Sequence, residues 1–279
     1  MKITKIHPDK YPQLLAQISN PPKQLYCLGE ISDKPKIAVI GSRRPTDYGQ
    51  NVTYKLAYEL ASAGICIVSG LAIGLDGVAH QAALDAGGET IAVLPSGLGQ
   101  IYPARHKKLA RDILKAGGAL ISEYATNQKA QQHSFVARNR IVAGLSLGVI
   151  VTEAAAASGT LTTANFALNE NRLVMAVPGN ITSLYSAGPN NLIRAGAVTI
   201  TSSSDVLSIL EIETEDLPVS ISKNQENHPI IDDIVQGFDS TELLLQTGRY
   251  EPTNLAVELS LLEISGQIRN LGNGNWTVR

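Results

Sequence analysis

The sequence predicts an α/β protein: an extended Rossmann-like, doubly wound and mostly parallel sheet, followed by a small C-terminal winged-helix-like domain. Two observations support this fold class. Short apolar runs of β type alternate with helical patterns between residues 36 and 203. After Ser204 the chain becomes more acidic and closes with three short helical patterns and two strand-like pieces. Alternation of strands and helices is typical of parallel sheets covered by helices.

The strands are predicted from runs that are almost continuous in apolar residues, as expected for strands buried on both faces. They are residues 37–40, 65–68, 90–94, 119–122, 148–152, 172–177 and 197–201. Helical patterns occupy the intervals at residues 48–63, 76–86, 105–116, 134–146 and 159–170. The predicted domains are a short N-terminal extension (1–35), the Rossmann-like domain (36–212), an acidic linker (213–228) and the winged-helix-like domain (229–279).

The last of these domains has the element order of a winged helix, with the patterns IIDDIVQG, STELLLQTG and PTNLAVELSLLEISG ahead of QIRNLGNGNWTVR. Helix-turn-helix modules usually bind DNA through a basic recognition helix. The third pattern instead contains Glu258 and Glu263 and has no Lys or Arg. A protein contact is therefore favoured over DNA binding by this domain.

Composition excludes several classes of protein. Cys27 and Cys66 have no C-x-x-C spacing, which favours a reduced, cytoplasmic protein. The first residues lack the apolar stretch of a signal peptide, and no run approaches 18 apolar residues, so neither export nor a membrane span is expected.

Charge is distributed unevenly along the chain. Residues 36–203 contain 14 Lys and Arg against 9 Asp and Glu, whereas residues 204–279 contain 4 against 13. A basic body attracts polyanions, and an acidic tail repels them. If nucleic acid binds, the body is expected to bind it.

The segment IAVIGSRRPTDYG, residues 37–49, places a glycine turn between a strand and a helix, where α/β folds commonly bind phosphate on backbone N–H groups. The dinucleotide fingerprint G-x-G-x-x-G is absent, because Arg43 and Thr46 occupy its second and third glycine positions. Two adjacent arginines suit a ligand with several phosphates.

Four segments are predicted to meet at the carboxyl edge of the sheet, where their small residues, hydroxyl groups and guanidinium groups suit an anion. Their candidate binding residues are Gly41, Ser42 and Arg43; Ser69 and Gly70; Phe135, Arg138, Asn139 and Arg140; and Ser158, Gly159 and Thr160. The last three precede a helix and would also suit an ordinary N-cap.

Three of these candidate residues leave alternatives open. Arg138 and Arg140 diverge by roughly 200° on a helix and cannot form one flat patch. They suit either a pair of surface arginines or a pair in which one grips phosphate while the other braces the loop or the GSRR turn. Phe135 suits either base stacking or core packing.

No catalytic or metal-binding constellation can be recognised among Asp76, His80, Glu123 and Glu153. Internal hydrogen bonding is favoured for Asp76 and His80.

Taken in order, these segments resemble the DprA/Smf family of bacterial DNA-processing proteins. The resemblance rests on IAVIGSRRPTDYG, IVSGLAIGLDGVAHQAAL, TIAVLPSGLGQIYP, FVARNRIVAGLS, VIVTEAAAASGTLTTANFAL and GPNNLIRAGA. It implies single-stranded DNA binding, with the twelve candidate residues above as a phosphate-binding rim. It also implies loading of RecA during natural transformation, a homodimer, and neither a catalytic step nor a cofactor. The dimer surface is expected near residues 180–210.

Some features differ from the family pattern. About 35 residues precede the first predicted strand, so the family's usual N-terminal helical domain is not expected, and Val136 stands where members commonly have proline. The alternative is a nucleotide-hydrolysing enzyme of the related phosphoribohydrolase superfamily, with its P-G-G-x-G-T-x-x-E turn. The comparable turn here, ASGTLTTA, has no glutamate three residues after Thr160, which argues against hydrolysis. A nucleotide sensor of the same fold also remains open.

Overall fold

The computed structural model describes residues 2–212, 228–264, 267–272 and 274–278. The chain divides into two compact units, Met1–Glu215 and Asp216–Arg279. The predicted acidic linker lies outside the described residues except for its last residue, His228.

The first unit is built on a nine-stranded sheet. Its strands are β1 (Thr4–Ile6), β2 (Leu25–Gly29), β3 (Lys36–Ile40), β4 (Cys66–Ser69), β5 (Thr90–Val93), β6 (Ala119–Ser122), β7 (Gly148–Val151), β8 (Leu173–Ala176) and β9 (Val198–Thr199). Their order is β1-β2-β6-β5-β4-β3-β7-β8-β9. Strand β2 pairs antiparallel with β1 and β6, and the pairs from β6 to β9 are parallel.

Eight α-helices accompany this sheet in the described part of the first unit. They are α1 (Gln13–Ala16), α2 (Asp47–Ser62), α3 (Leu75–Asp85), α4 (Lys107–Lys115), α5 (Gln132–Gly144), α6 (Thr160–Asn169), α7 (Ala187–Arg194) and α8 (Ser203–Ile209). The predicted α/β class is confirmed, and all seven predicted strands and five predicted helices are present with ends within two residues. Strands β1 and β2 and helices α1 and α7 were not predicted.

Apolar packing on both faces of the sheet explains the continuous apolar runs. Every residue of β3, β4, β5, β6 and β7 is buried. Alternate strand residues join one of two main clusters: Ala38 and Ile40 pack with residues of α5 and α6, whereas Ile37 and Val39 pack with residues of α2 and α3. Helices on both faces leave the strand ends as the open part of the sheet.

The connection order creates a crevice at one edge of the sheet. From β3 the chain proceeds outward through β4, β5 and β6, and then crosses back to β7 on the other side of β3. Such a reversal of strand order separates the loops that follow the two neighbouring strands, and open α/β sheets bind ligands there. The loops after β3 and β7 flank this point.

The second unit is a small domain of helices with a two-stranded sheet. It contains α9 (Pro229–Val235), α10 (Thr241–Gln246), α11 (Pro252–Ile264) and the antiparallel pair β10 (Ile268–Gly272) and β11 (Asn275–Val278). Leu244, Leu255, Leu259 and Trp276 belong to its separate apolar core. This is the predicted element order of a winged-helix-like domain. Within the described residues of both units, no helix has the length and apolar character needed to cross a membrane.

Candidate functional site

An open groove of about 680 Å³ lies at the carboxyl edge of the sheet. It is lined by the loops after β3, β4, β5, β7 and β8 and by residues of α3, α5 and α6. Ten of the twelve predicted site residues are among its lining: Gly41, Ser42, Arg43, Gly70, Phe135, Arg138, Asn139, Ser158, Gly159 and Thr160. The other two, Ser69 and Arg140, lie outside the groove.

The turn after β3 is held in place by the start of α6. Thr160 Oγ1 donates a hydrogen bond of 3.0 Å to the carbonyl of Gly41. A side chain at residue 41 would force the buried Leu75 to move, because a Cβ atom there would lie 2.4 Å from Leu75 Cδ1. Ser42 is buried, whereas Arg43 and Arg44 are exposed. The turn therefore presents two guanidinium groups on a fixed backbone.

Glu153, at the carboxyl end of β7, fixes the other end of this turn. Its buried carboxylate accepts hydrogen bonds from the Thr46 N–H at 3.0 Å and from Thr46 Oγ1 at 2.5 Å. The Thr46 hydroxyl in turn accepts from the Gly49 N–H as the N-cap of α2. Glu153 is thus a structural residue that joins β7 to α2.

Several backbone donors at the groove remain available to a ligand. Within the described part of the chain, the N–H groups of Ser42, Arg43 and Gly159 make no hydrogen bond. Gly159 is the N-cap of α6, and the N-terminus of a helix carries the positive end of the helix dipole. Free N–H groups at such a position are a general solution for binding phosphate.

Arg138 is a buried brace and not an exposed cation. Its Nη1 donates to the carbonyls of Gly70 and Val93, and its Nε donates to Asn139 Oδ1 at 3.2 Å. Only 5% of the residue is exposed, and burial lowers the pKa of Arg138 to about 10, which leaves it charged at neutral pH. Glycine is required at residue 70 because a Cβ atom would lie 2.4 Å from this guanidinium.

Arg140 and Ser69 have internal partners away from the groove. Arg140 Nη2 forms an ion pair of 2.5 Å with Glu123 Oε1, beyond the end of β6. The Ser69 hydroxyl is fully buried and donates to the Val39 carbonyl at 2.7 Å. Both helix guanidinium groups thus hold protein elements together, and a phosphate contact by one of them stays a prediction.

Asp76 and His80 also have internal partners, as the sequence favoured. Asp76 Oδ2 accepts from the N–H groups of Gly70 and Ala72 at 3.1 and 3.3 Å, and burial raises its pKa. His80 Nδ1 lies 2.7 Å from Thr90 Oγ1, and burial lowers the His80 pKa to about 3. The Gly70 N–H is consequently occupied by Asp76 and is not free for a ligand.

The aromatic part of the groove contains a residue that the sequence analysis did not select. Tyr102 lies in the loop between β5 and α4, lines the groove, and meets Phe135 edge to face with ring centroids 5.3 Å apart. The Arg43 guanidinium lies 5.2 Å from the centroid of the Phe135 ring. The sequence feature that could have identified Tyr102 is its place in IAVLPSGLGQIYP, where an aromatic residue follows a strand and a glycine-containing loop.

The charged side chains that line the groove are Arg43, Arg44, Arg138 and Asp76, and three of these four are basic. No group of three or more His, Cys, Asp or Glu residues that could hold a metal ion occurs among the described residues. The geometry therefore offers backbone donors, guanidinium groups and aromatic rings, a combination suited to binding a polyanion that carries bases.

Comparison with known proteins assigns the family. The family model described as DNA recombination-mediator protein A matches residues 2–211. The chain belongs to this DprA/Smf family. It is 38% identical over 272 residues to Protein Smf of Escherichia coli, an alignment that covers 95% of this chain and 72% of the relative. The family match begins at residue 2, so β1 and β2 lie within the matched region.

Two solved structures of family members share the fold. DNA processing protein A of Streptococcus pneumoniae is 39% identical, with a TM-score of 0.69 and coverage of 74% of each chain. DNA processing protein A of Helicobacter pylori is 34% identical, with a TM-score of 0.68 and coverage of 75% of this chain and 96% of that one. The latter structure is described in terms of its single-stranded DNA binding mode.

The contacts of Arg138 generate a prediction about stability. Replacing Arg138 by Ala leaves the Gly70 and Val93 carbonyls without their donor and Asp76 without its nearby positive charge. We expect the free energy of unfolding to fall by about 2–5 kcal/mol. Urea unfolding followed by far-ultraviolet circular dichroism measures it, with exposed Arg105→Ala as the matched control. Equal stabilities of the two variants would contradict the bracing role.

Proposed function

We propose that this protein binds single-stranded DNA in the groove at the carboxyl edge of its sheet. The observation that carries the proposal is the combination of free backbone N–H groups, exposed arginines and aromatic rings in one open groove. Proteins that bind single strands with little sequence preference combine basic grooves with aromatic stacking surfaces. The family relative from Helicobacter pylori, whose structure is described in terms of its single-stranded DNA binding mode, supports the same choice of ligand.

The width of the groove favours a strand over a single nucleotide. Its lining runs from Tyr102, after β5, to Gly159, after β7, and these strands are three positions apart in the sheet. With neighbouring strands about 4.8 Å apart, that separation is roughly 14 Å. Such a groove accommodates consecutive nucleotides with their phosphates near α6 and their bases near Tyr102.

We propose that binding is not coupled to catalysis. Among the described residues that line the groove, Asp76 is the one carboxylate, and its Oδ2 is already held by two loop N–H groups. Glu123 and Glu153 are engaged by Arg140 and Thr46. These contacts leave the groove without an evident general acid or base, which supports a binding protein over a nucleotide hydrolase.

The cellular role that we propose is the one implied by the family: loading of RecA onto the bound strand during DNA uptake and recombination, in the cytoplasm. A loader must hold the strand without covering its bases completely, and an open groove at the surface suits that task. The absence of an enclosed pocket around the ligand would let a filament-forming partner take over the strand.

Arg43 provides the direct test of DNA binding. We expect Arg43→Ala to weaken binding to every single-stranded sequence by about tenfold, because a charge-assisted phosphate contact is lost. The slope of log K against log salt concentration should also fall by about 0.7 for one phosphate contact. Fluorescence anisotropy titrations at several salt concentrations measure both quantities.

The control for this titration is Arg105→Ala, which removes an exposed arginine that does not line the groove. Duplex DNA and free nucleotides serve as competing ligands for the unmodified protein. Unchanged binding by Arg43→Ala would contradict the proposed site. Preference for a mononucleotide would instead favour the nucleotide-hydrolysing class.

A homodimer is the second part of the proposal. Ile181 and Leu184, in the segment after β8, are 92% and 78% exposed, and they fall within the surface predicted from the sequence for self-association. We expect the unmodified protein to be a dimer at tens of micromolar, and Ile181→Asp with Leu184→Asp to be a monomer, because burying a charge in an apolar interface is costly. Light scattering measures the mass, and a monomeric unmodified protein would contradict the dimer.

The acidic second unit is proposed to contact a protein and not DNA. Its helix α11 exposes Val257 and Leu261, and its residues Pro252–Ile264 include Glu258 and Glu263 but no Lys or Arg. Carboxylates near phosphates oppose binding and release no counterions. A protein partner or the basic first unit would suit this surface better.

A chain shortened to end at Ile212 tests that assignment, since Val206 of α8 packs in the core of the first unit and must be kept. Unchanged affinity for single-stranded DNA is expected if the partner is another protein. Tighter binding would indicate that the second unit competes with DNA for the basic groove. A large loss of affinity would contradict the proposal, because it would mean that the second unit contacts DNA.

A further inference from the structure

A second open space lies at the edge of the sheet opposite the groove. It is a cleft of about 840 Å³ beside the connection from β2 to β3, at the amino ends of β3 and β7. Its large apolar lining residues are Ile6, Tyr11, Leu14, Ile31, Leu145 and Leu147. Lys36 and Gly41 mark the two ends of β3, which puts them roughly 16 Å apart at 3.3 Å per residue. The cleft and the groove are therefore separate sites.

Lys36 is a buried cation in the wall of this cleft. Only 9% of the residue is exposed, and its side chain lies on the same face of the sheet as that of Ala38, because side chains alternate along a strand. Its Nζ donates one hydrogen bond of 3.0 Å, to the Lys34 carbonyl, although an ammonium group has three donors. In the part of the chain that the structure describes, no carboxylate forms an ion pair with Lys36.

The groups that could offset the charge of Lys36 from within the protein are otherwise engaged or neutral. Lys36 acts electrostatically on Glu89 and Cys66. The Glu89 carboxylate is already paired with Lys34 Nζ at 2.8 Å. Burial raises the pKa of the Cys66 thiol to about 12 and that of the Cys27 thiol, also in the cleft wall, to about 11. Both thiols are therefore uncharged at neutral pH, and the charge of Lys36 stays unmatched.

The other charges of the cleft limit the class of ligand. The exposed carboxylates of Glu30 and Asp33 line it together with exposed Lys10, while the charge of Lys34 is used in its ion pair. Two carboxylates repel a ligand with several negative charges, so DNA is not suited to this cleft. A single negative charge can be matched by the Lys36 ammonium. The volume lies within the range of about 300–1,000 Å³ that is common for small-molecule sites.

We infer that this cleft binds a small organic monoanion, whose carboxylate contacts the Lys36 ammonium and whose apolar body packs against the isoleucine and leucine side chains. A buried charge without an internal counter-ion is costly for the folded protein. Departures of this kind from the rules of stable packing are concentrated at functional sites. The inference is independent of the proposed DNA binding, which uses the opposite edge of the sheet.

The test uses octanoate as the probe, because it combines one carboxylate with an apolar chain. Isothermal titration calorimetry of the full chain should show octanoate binding at millimolar concentrations or below. We expect 1-octanol, which has the same chain without the charge, to bind about tenfold more weakly or not at all. Citrate, which carries several carboxylates and no apolar chain, should also bind more weakly than octanoate.

Lys36→Met is the decisive variant, since it keeps the length of the side chain and removes its charge. It should weaken octanoate binding about tenfold or more, while its midpoint of thermal unfolding stays equal to that of the unmodified protein or rises. A side chain that served only to hold the Lys34 carbonyl would instead lower the midpoint when replaced. Lys55→Met, which removes an exposed lysine of α2 outside the cleft, is the matched control and should change neither quantity.

Several results would overturn the inference. They are no binding of octanoate by the unmodified protein at millimolar concentrations, equal binding by Lys36→Met, and tighter binding of citrate or 1-octanol than of octanoate. Unfolding or a clearly lower midpoint of Lys36→Met would also overturn it, because the ammonium would then be a structural group. Anisotropy titration with a single-stranded DNA keeps the two proposals apart, since Lys36→Met should bind DNA as the unmodified protein does. Failure of the unmodified protein to bind DNA would contradict the proposed function and leave this inference standing.

Discussion

The buried guanidinium of Arg138 is the contact on which the groove depends. From helix α5 it donates to a carbonyl after β4 and to a carbonyl at the end of β5, and Asp76 on α3 provides a nearby negative charge. A charged group with little exposure is tolerated only when several partners compensate its lost hydration. Four elements are thereby held at fixed positions around one side chain.

Glu153 has a corresponding role on the other side of the switch point between β3 and β7. It holds Thr46 at the start of α2, while Thr160 at the start of α6 holds the Gly41 carbonyl. The turn that contains Ser42 and Arg43 is anchored at both ends by these contacts. Backbone donors fixed before a ligand arrives lose little conformational entropy on binding, which is the general advantage of a preorganised site.

The two units combine opposite charges with separate cores. Trp276, Leu244 and Leu259 pack within the second unit, and the sheet clusters of the first unit contain none of its residues. An independent core lets the second unit carry a strongly acidic surface without unfavourable effects on the packing of the basic body.

The sequence alone determined the sheet, its helices and the segments that meet at its carboxyl edge, because strands buried on both faces leave continuous apolar runs and glycine turns mark their ends. It did not reveal β1 and β2, which form the antiparallel end of the sheet, because β1 has only three residues, two of them exposed, and three of the five residues of β2 are only half-buried. It also could not assign Arg138, Arg140 and Ser69, since a residue type does not disclose its partners. Tertiary packing decided that Arg138 and Arg140 brace loops, that Asp76 occupies the Gly70 N–H, and that Tyr102 stands open in the groove. These outcomes depend on contacts between residues far apart in the chain, such as Arg138 with Gly70 and Thr160 with Gly41, which no local pattern encodes.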